Sequence, residues 1–186
     1  GEIPLSDTIT TVVAEGIDAD TVTRMNGVLD LKGLKAAQSD SVPAGSGETS
    51  LLVGIKGSKG AVDAHVDKLV KEGKLSYTDG LFDKTDAYLL AALPAQGDDP
   101  SQIIVLGRDT DAAFYGLTTL YKIFQQVEGD TLRALTVSDY ADVITRGFIE
   151  GYYGNPWSTE DRVELMKWGG HYKLNAYASC SRCTRS

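Results

Sequence analysis

Apolar positions along the chain switch between two periods, and the switches mark out the elements. Residues 8–15 are rich in Thr and Val and read as a strand. Over residues 18–34, Val22, Met25 and Leu29 fall on one helical face, and Gly33 sits near the end. Residues 39–49 are Ser, Gly, Asp and Pro, the composition of a loop. Residues 50–55 form a short apolar run, the pattern of a buried strand. Residues 60–72 read as a helix, with Val62, Val66, Leu69 and Val70 at helical spacing and Gly73 just past the end. Residues 74–83 fit neither period. Two strands are predicted over 86–93 and 102–106. Gly97, Asp98, Asp99 and Pro100 lie between them, which predicts a hairpin and some antiparallel pairing. The strongest helix spans 109–127. Asp109 can cap it, and Ala113, Leu117, Leu120, Tyr121, Phe124 and Val127 make its apolar stripe before Gly129 stops it. A last short strand covers 132–137. These elements predict an α/β domain, a mixed β-sheet with helices packed on it, closing near residue 140.

The character of the chain then changes. Residues 146–151 read as a strand running into Tyr152-Tyr153-Gly154-Asn155-Pro156-Trp157. Ser158 can cap a helix over 159–169, with Glu160 and Asp161 favourable in its first turn. Residues 174–177 are strand-like again. The order is strand, loop, helix, strand, one βαβ unit. A single unit cannot cover both faces of a parallel pair, so it reads as the start of something larger.

Residues 150–157 are the candidate functional loop, because ligands of barrels and open α/β sheets bind at the carboxyl ends of strands. Gly151 and Gly154 allow close backbone approach. Tyr152, Tyr153 and Trp157 suit stacking on sugar faces or packing on a neighbour. For Glu150 three roles stay open: an acid, a ligand-holder or a buried structural carboxylate.

Composition narrows the function classes. The chain has 186 residues, 42% hydrophobic and 24% charged. That fits one ordinary domain, or a small domain plus a fragment, and argues against disorder. A formal net charge of −8 argues against nucleic acid and against adsorption to anionic membranes. No apolar run is long enough for a membrane span. Gly1-Glu2-Ile3-Pro4 lacks the basic and apolar regions of a signal peptide. Cys180 and Cys183 are the only cysteines, so the body folds without disulfides or thiolate ligands, and the pair reads as part of a frayed tail. Asp98-Asp99 reads as a solvated turn. Residues 54–60 carry three glycines and two lysines without phosphate-loop spacing. His65 and His171 have no partnered nucleophile. No metal site and no cofactor is predicted.

Residues 146–157, Arg-Gly-Phe-Ile-Glu-Gly-Tyr-Tyr-Gly-Asn-Pro-Trp, resemble the opening barrel strand of family 84 glycoside hydrolases. These are the β-N-acetylglucosaminidases that include O-GlcNAc hydrolases and bacterial "hyaluronidases". Asp161-Arg162, Lys167 and Lys173-Leu174-Asn175-Ala176-Tyr177 are similar to the same family. Upstream, residues 86–90, 103–107 and 113–120 are similar to the domain preceding the barrel, which family 20 hexosaminidases share. The resemblance implies three segments. Residues 1–140 are the N-terminal domain, 141–177 the incomplete first βαβ unit of a (β/α)8 barrel, and 178–186 a tail outside the family pattern.

The resemblance further implies retaining, substrate-assisted hydrolysis of N-acetylglucosaminides through an oxazoline. An adjacent aspartate pair on a later strand serves it, beyond this chain. The expected catalytic set within the chain is therefore none, and the chain alone is expected to be inactive. Gly151 matches the glycine whose carbonyl meets sugar hydroxyls, and Tyr153 the tyrosine beside the acetamido group. Expected partners are N-acetylglucosamine-containing glycans or glycoproteins, and a second copy of the chain through the incomplete barrel segment. The expected location is secreted or at a bacterial cell surface. The alternatives are a non-catalytic glycan-binding or structural module, and a fragment of a family 20 hexosaminidase.

Overall fold

The computed structural model describes residues 1–45, 47–151 and 156–179. They belong to two compact units, Gly1–Ala141 and Asp142–Ser186. Together they are a mixed-sheet α/β fold followed by one βαβ unit, the architecture expected from the sequence.

In the first unit, β1 (Glu2–Pro4) is followed by β2 (Thr8–Val13), α1 (Ala19–Asp30), β3 (Lys35–Gln38), β4 (Ser50–Ile55) and α2 (Ala61–Lys71). A 3-10 turn at Leu81–Asp83 then leads into β5 (Tyr88–Leu93), β6 (Gln102–Gly107), α3 (Thr110–Phe124), β7 (Thr131–Arg133) and β8 (Leu135–Asp139). Six strands form one sheet in the order β3-β2-β4-β6-β5-β8. The first four are parallel, and β5 runs antiparallel to both β6 and β8. The predicted hairpin is therefore present, in register from Leu93↔Gln102 to Tyr88↔Gly107.

Because successive strand residues point to opposite faces, an unbroken apolar run feeds two cores at once. Leu51, Val53, Tyr88, Leu90, Ile103 and Val105 meet Met25, Leu29, Leu117, Leu120 and Phe124 from α1 and α3. Leu52, Leu89, Ala91, Ile104 and Leu106 meet Val62, Val66 and Leu69 of α2, with Leu75 and Leu81 beside them. Each large side chain so buried contributes roughly 1.5–3 kcal/mol. The approach of α3 depends on Gly116. A β-carbon there would lie 2.7 Å from Val105 Cγ1 and 3.1 Å from the Tyr88 ring.

The helix ends follow local chemistry. Asp18 accepts from the Thr21 amide at 2.8 Å, and Asp109 from the Ala112 amide at 2.9 Å. The first helix stops at Asp30 rather than 34. Gly33 adopts a φ of 64° there, and the Leu34 amide returns to the Leu29 carbonyl. Two strands escaped the periodicity. β3 is exposed throughout and, among the described residues, pairs only with β2, so it has no buried face to mark it. β1 pairs antiparallel with β7. The strand expected over 132–137 is two strands, since β7 joins β1 while β8 joins the large sheet.

The second unit holds β9 (Gly147–Glu150), α4 (Thr159–Gly170) and β10 (Ala176–Ser179). The strands are parallel, from Gly147↔Ala176 to Glu150↔Ser179, so β10 runs on through Ala178 and Ser179. Ser158 and Asp161 form a reciprocal capping box at the start of α4. Phe148 packs on Gly169, where a β-carbon would come within 2.9 Å of its ring. Among the described residues this pair has no third strand. Val143, Ile144, Ile149, Val163 and Met166 are exposed. No described helix is long and apolar enough to cross a membrane.

Candidate functional site

A carboxylate placed out of water at a strand end needs partners, because an unpaired buried charge is costly. Glu150 ends β9 and is buried, and its two oxygens are fully engaged. Arg162, one turn into α4, donates Nε to Oε2 at 2.8 Å and Nη2 to Oε1 at 2.9 Å. This is the forked geometry that suits a carboxylate. The Trp157 amide donates to Oε1 at 3.3 Å, and the Tyr177 hydroxyl of β10 donates to Oε2.

The electrostatics follow. The Arg162 guanidinium, then the Tyr177 hydroxyl, hold the Glu150 carboxyl down at about 2. Glu150 in turn raises the Tyr177 phenol and stabilises the charged Arg162. A carboxyl so placed stays ionised and holds no proton to give at neutral pH. Of the three roles open to Glu150, the geometry fits the buried structural carboxylate.

Gly151 follows directly and is exposed. Tyr153 lies outside the described residues, as do Tyr152, Gly154 and Asn155. Trp157 is exposed and borders a groove of about 530 Å³ with Asp161, Glu164, Leu165 and Trp168. A smaller hollow of about 260 Å³ is lined by Phe148, Met166, Leu174 and Tyr177. Spacing along the chain does not single out Arg162 and Tyr177 as partners of Glu150, since they lie 12 and 27 residues away. The available signal was chemical: a carboxylate entering an apolar strand end calls for a nearby cation.

The weaker motifs take ordinary structural roles. Asp99 is ion-paired rather than simply solvated, with Lys74 at 2.5 Å and Lys68 at 3.9 Å. Those lysines keep its carboxyl below the usual range. Gly54 makes room for Val62, whose Cγ1 would be 2.7 Å from an added β-carbon. Lys56 is occupied by Asp67 at 2.5 Å and Asp63 at 3.4 Å. The His65 ring meets Gln102 Oε1 at 2.7 Å. His171 is the C-cap of α4. Cys180 and Cys183 lie outside the described residues. Among the described residues no group of acidic, His or Cys side chains is arranged to hold a metal.

Comparison with known proteins adds three observations. Residues 1–140 match the family described as glycosyl hydrolase family 20, domain 2. Residues 146–180 match the family described as beta-N-acetylglucosaminidase. The solved structure of CpGH84D is 38% identical with a TM-score of 0.85, over 98% of this chain and 28% of that one. A second structure is described as a family GH115 4-O-methyl-alpha-glucuronidase with specificity for decorated arabinogalactans. It shares the fold at 13% identity and a TM-score of 0.63, over 96% of this chain and 25% of its own. The chain thus spans about a quarter of the length of each.

Proposed function

The chain belongs, through residues 1–140, to the domain-2 family of family 20 glycosyl hydrolases, and from that membership we propose that it serves a family 84 β-N-acetylglucosaminidase. The matches support part of a glycoside hydrolase of the hexosaminidase kind, and in this reading glycans are the substrate class of the whole enzyme. The finer reading rests mainly on residues 146–180, which match a β-N-acetylglucosaminidase and put exposed Gly151 at the carboxyl end of β9. That edge is where barrel enzymes gather their ligands.

In this reading the Gly151 carbonyl accepts from sugar hydroxyls, and Tyr153 borders the acetamido group. The acetamido oxygen attacks the anomeric carbon as the glycosidic bond to the leaving oxygen breaks; one aspartate of an adjacent pair orients the acetamido group, and the other protonates the departing oxygen and later deprotonates the water that opens the oxazoline. Among the described residues, the two adjacent acidic pairs are committed elsewhere. Asp98-Asp99 sits at a lysine-paired turn of the first unit, and Glu160-Asp161 belongs to the first turn of α4. The chain alone is therefore expected not to hydrolyse an N-acetylglucosaminide. Extracellular placement is part of the same proposal.

The second reading takes residues 1–140 as a module that binds glycan or supports a neighbour; the match of that whole stretch to a non-barrel domain favours it. The coding locus past Ser186 separates the readings. A later adjacent Asp-Asp pair, with retaining hydrolysis of a chromogenic N-acetylglucosaminide by the longer product, supports the proposal. An Asp-Glu pair indicates a family 20 enzyme. Absence of any barrel in all frames refutes the hydrolase reading and leaves the module.

A further inference from the structure

The face of the large sheet that meets α2 is apolar except at the amino ends of β4 and β6. Gln102 opens β6 in line with Ile104 and Leu106 and is only 2% exposed. An apolar side chain would fill this place at lower cost, since a buried carboxamide has to be hydrogen-bonded. Its neighbours supply one bond. The His65 ring of α2 meets Gln102 Oε1 at 2.7 Å. Ser50, opposite on β4, is buried, and its hydroxyl has no hydrogen-bond partner among the described residues. Leu93, opposite on β5, has no polar side-chain atom. The two N–H donors of the carboxamide are not used by these neighbours.

Gln102 lines a hollow of about 260 Å³ in the first unit. Leu69, Leu93 and Pro94 give the hollow an apolar wall, and Lys74 and Asp99 give it a charged one. Its rim is fixed in advance. Gln96 and Asp99 exchange backbone hydrogen bonds at 3.0 and 3.1 Å, and the Ala95 amide donates to Ser101 Oγ at 3.1 Å. Lys74 Nζ lies 2.5 Å from Asp99 and 2.9 Å from Glu72, and Lys68 Nζ lies 3.9 Å from each. Two ammonium groups and two carboxylates therefore cancel. A charged ligand would have to break into these pairs, and a neutral one would not.

We propose that this hollow binds one neutral pyranose ring of a glycan. The inference rests on the reading of residues 1–140 as a glycan-binding module, and it names the site. A sugar hydroxyl donates and accepts at once, and the hollow offers both complements. The Asp99 oxygens accept. Gln102 donates from its carboxamide, and Lys74 from the N–H that Asp99 and Glu72 leave over. Leu93 and Pro94 suit the C–H face of the ring. The volume falls just below the roughly 300–1,000 Å³ of pockets for drug-sized ligands, which is room for one ring rather than a chain. The fixed rim keeps the cost of ordering low.

The test uses the whole 186-residue chain, amide-resolved NMR and two probes, neutral N-acetylglucosamine and the anion glucuronate. N-acetylglucosamine should shift the amides of Ala95, Gln96, Asp99 and Gln102 with a millimolar Kd, and glucuronate should bind at least about tenfold more weakly. Gln102→Met keeps the bulk and removes the carboxamide. It should weaken binding about tenfold, the scale of one hydrogen bond. Ala95→Phe, on the exposed turn, should fill the hollow and abolish binding without removing a buried group. Gln38→Ala, on exposed β3, should change nothing.

Unchanged α3 amide shifts show that each variant is folded, and if Gln102→Met fails to fold, Ala95→Phe decides. Wild-type affinity in a folded Gln102→Met or in Ala95→Phe overturns the proposal. So does glucuronate binding as tightly as N-acetylglucosamine. Shifts confined to another face of the first unit overturn the site and leave the module reading standing. No shift at all also overturns the site. Retention of the chain on an immobilised N-acetylglucosamine polymer then decides the module reading separately.

Discussion

Replacing Gly147 with alanine should dismantle the βαβ unit and leave the first unit intact. Gly147 faces Ala176 across the parallel pair. An added β-carbon would lie 2.5 Å from the Ala176 carbonyl carbon and 2.8 Å from its β-carbon, where ordinary contact begins at 3.4 Å. The nearest obstacles are backbone atoms, so no rotamer relieves the clash. The Ala176 carbonyl oxygen lies nearer still, so β10 would have to retreat by more than the roughly 0.9 Å that its carbonyl carbon alone requires. That movement stretches the bonds from the Asn175 and Ala176 amides to the Arg146 carbonyl, now 2.7 and 3.0 Å, beyond useful range. Overpacking costs about 1–3 kcal/mol, and the two lost backbone hydrogen bonds add roughly 0.5–1.5 kcal/mol each, a total on the order of 2–6 kcal/mol. At roughly 0.05–0.15 kcal/mol per residue, a unit of about 40 residues has on the order of 2–6 kcal/mol to lose. The assay is selective because both tryptophans of the chain, Trp157 and Trp168, lie in this unit. Trp168 is packed 4.5 Å from Tyr172 and 6.4 Å from Phe148, centroid to centroid. Gly147→Ala should red-shift tryptophan emission and erase the near-ultraviolet tryptophan bands at 25 °C. The far-ultraviolet melt of the first unit should stay in place. Native emission in the variant, with an unchanged urea midpoint, would refute the steric argument.

Two helix-interior glycines should respond oppositely to alanine. Gly27 in α1 has nothing within 4 Å of an added β-carbon, so Gly27→Ala should stabilise the first unit by about 0.5–1 kcal/mol in urea unfolding. Gly116→Ala should destabilise it by about 1–3 kcal/mol, through the overlap with Val105 and Tyr88; equal midpoints for the two variants would contradict the packing of α3. Acid should loosen the second unit through Glu150. Its folded carboxyl sits at about 2 against an ordinary 4.5, so its contribution is complete above 4.5 and fades as pH falls from there through 2. Tryptophan emission followed between pH 6 and 2 checks this, and Glu150→Gln should flatten the part of the profile due to this group. The exposed Ile144 and Ile149, in a unit whose parallel pair has no third strand among the described residues, should drive self-association, read by sedimentation as concentration-dependent mass. Ile149→Lys should reduce it, and a monomer at high micromolar concentration in the wild type would end the idea.

The elements with a buried face were legible in the sequence. α2 and α3 show their stripes because only one side of each meets the sheet, and β4, β5 and β6 show unbroken apolar runs because both their faces are covered. The hairpin was marked by the Gly and Pro between its strands, and the candidate loop by its place between a strand and a capped helix. β3 was silent, since an edge strand with no buried residue carries no period. So was the division of residues 131–139, because two different partners claim the two halves. The role of Glu150 was equally out of reach. A carboxylate is an acid, a ligand or a clamp according to what stands within 3 Å of it. For Glu150, Arg162 and Tyr177 arrive from 12 and 27 residues away. Local periodicity reports which side of an element is covered. Which strand it pairs with, and which charge it meets, are non-local facts that only the tertiary structure decides.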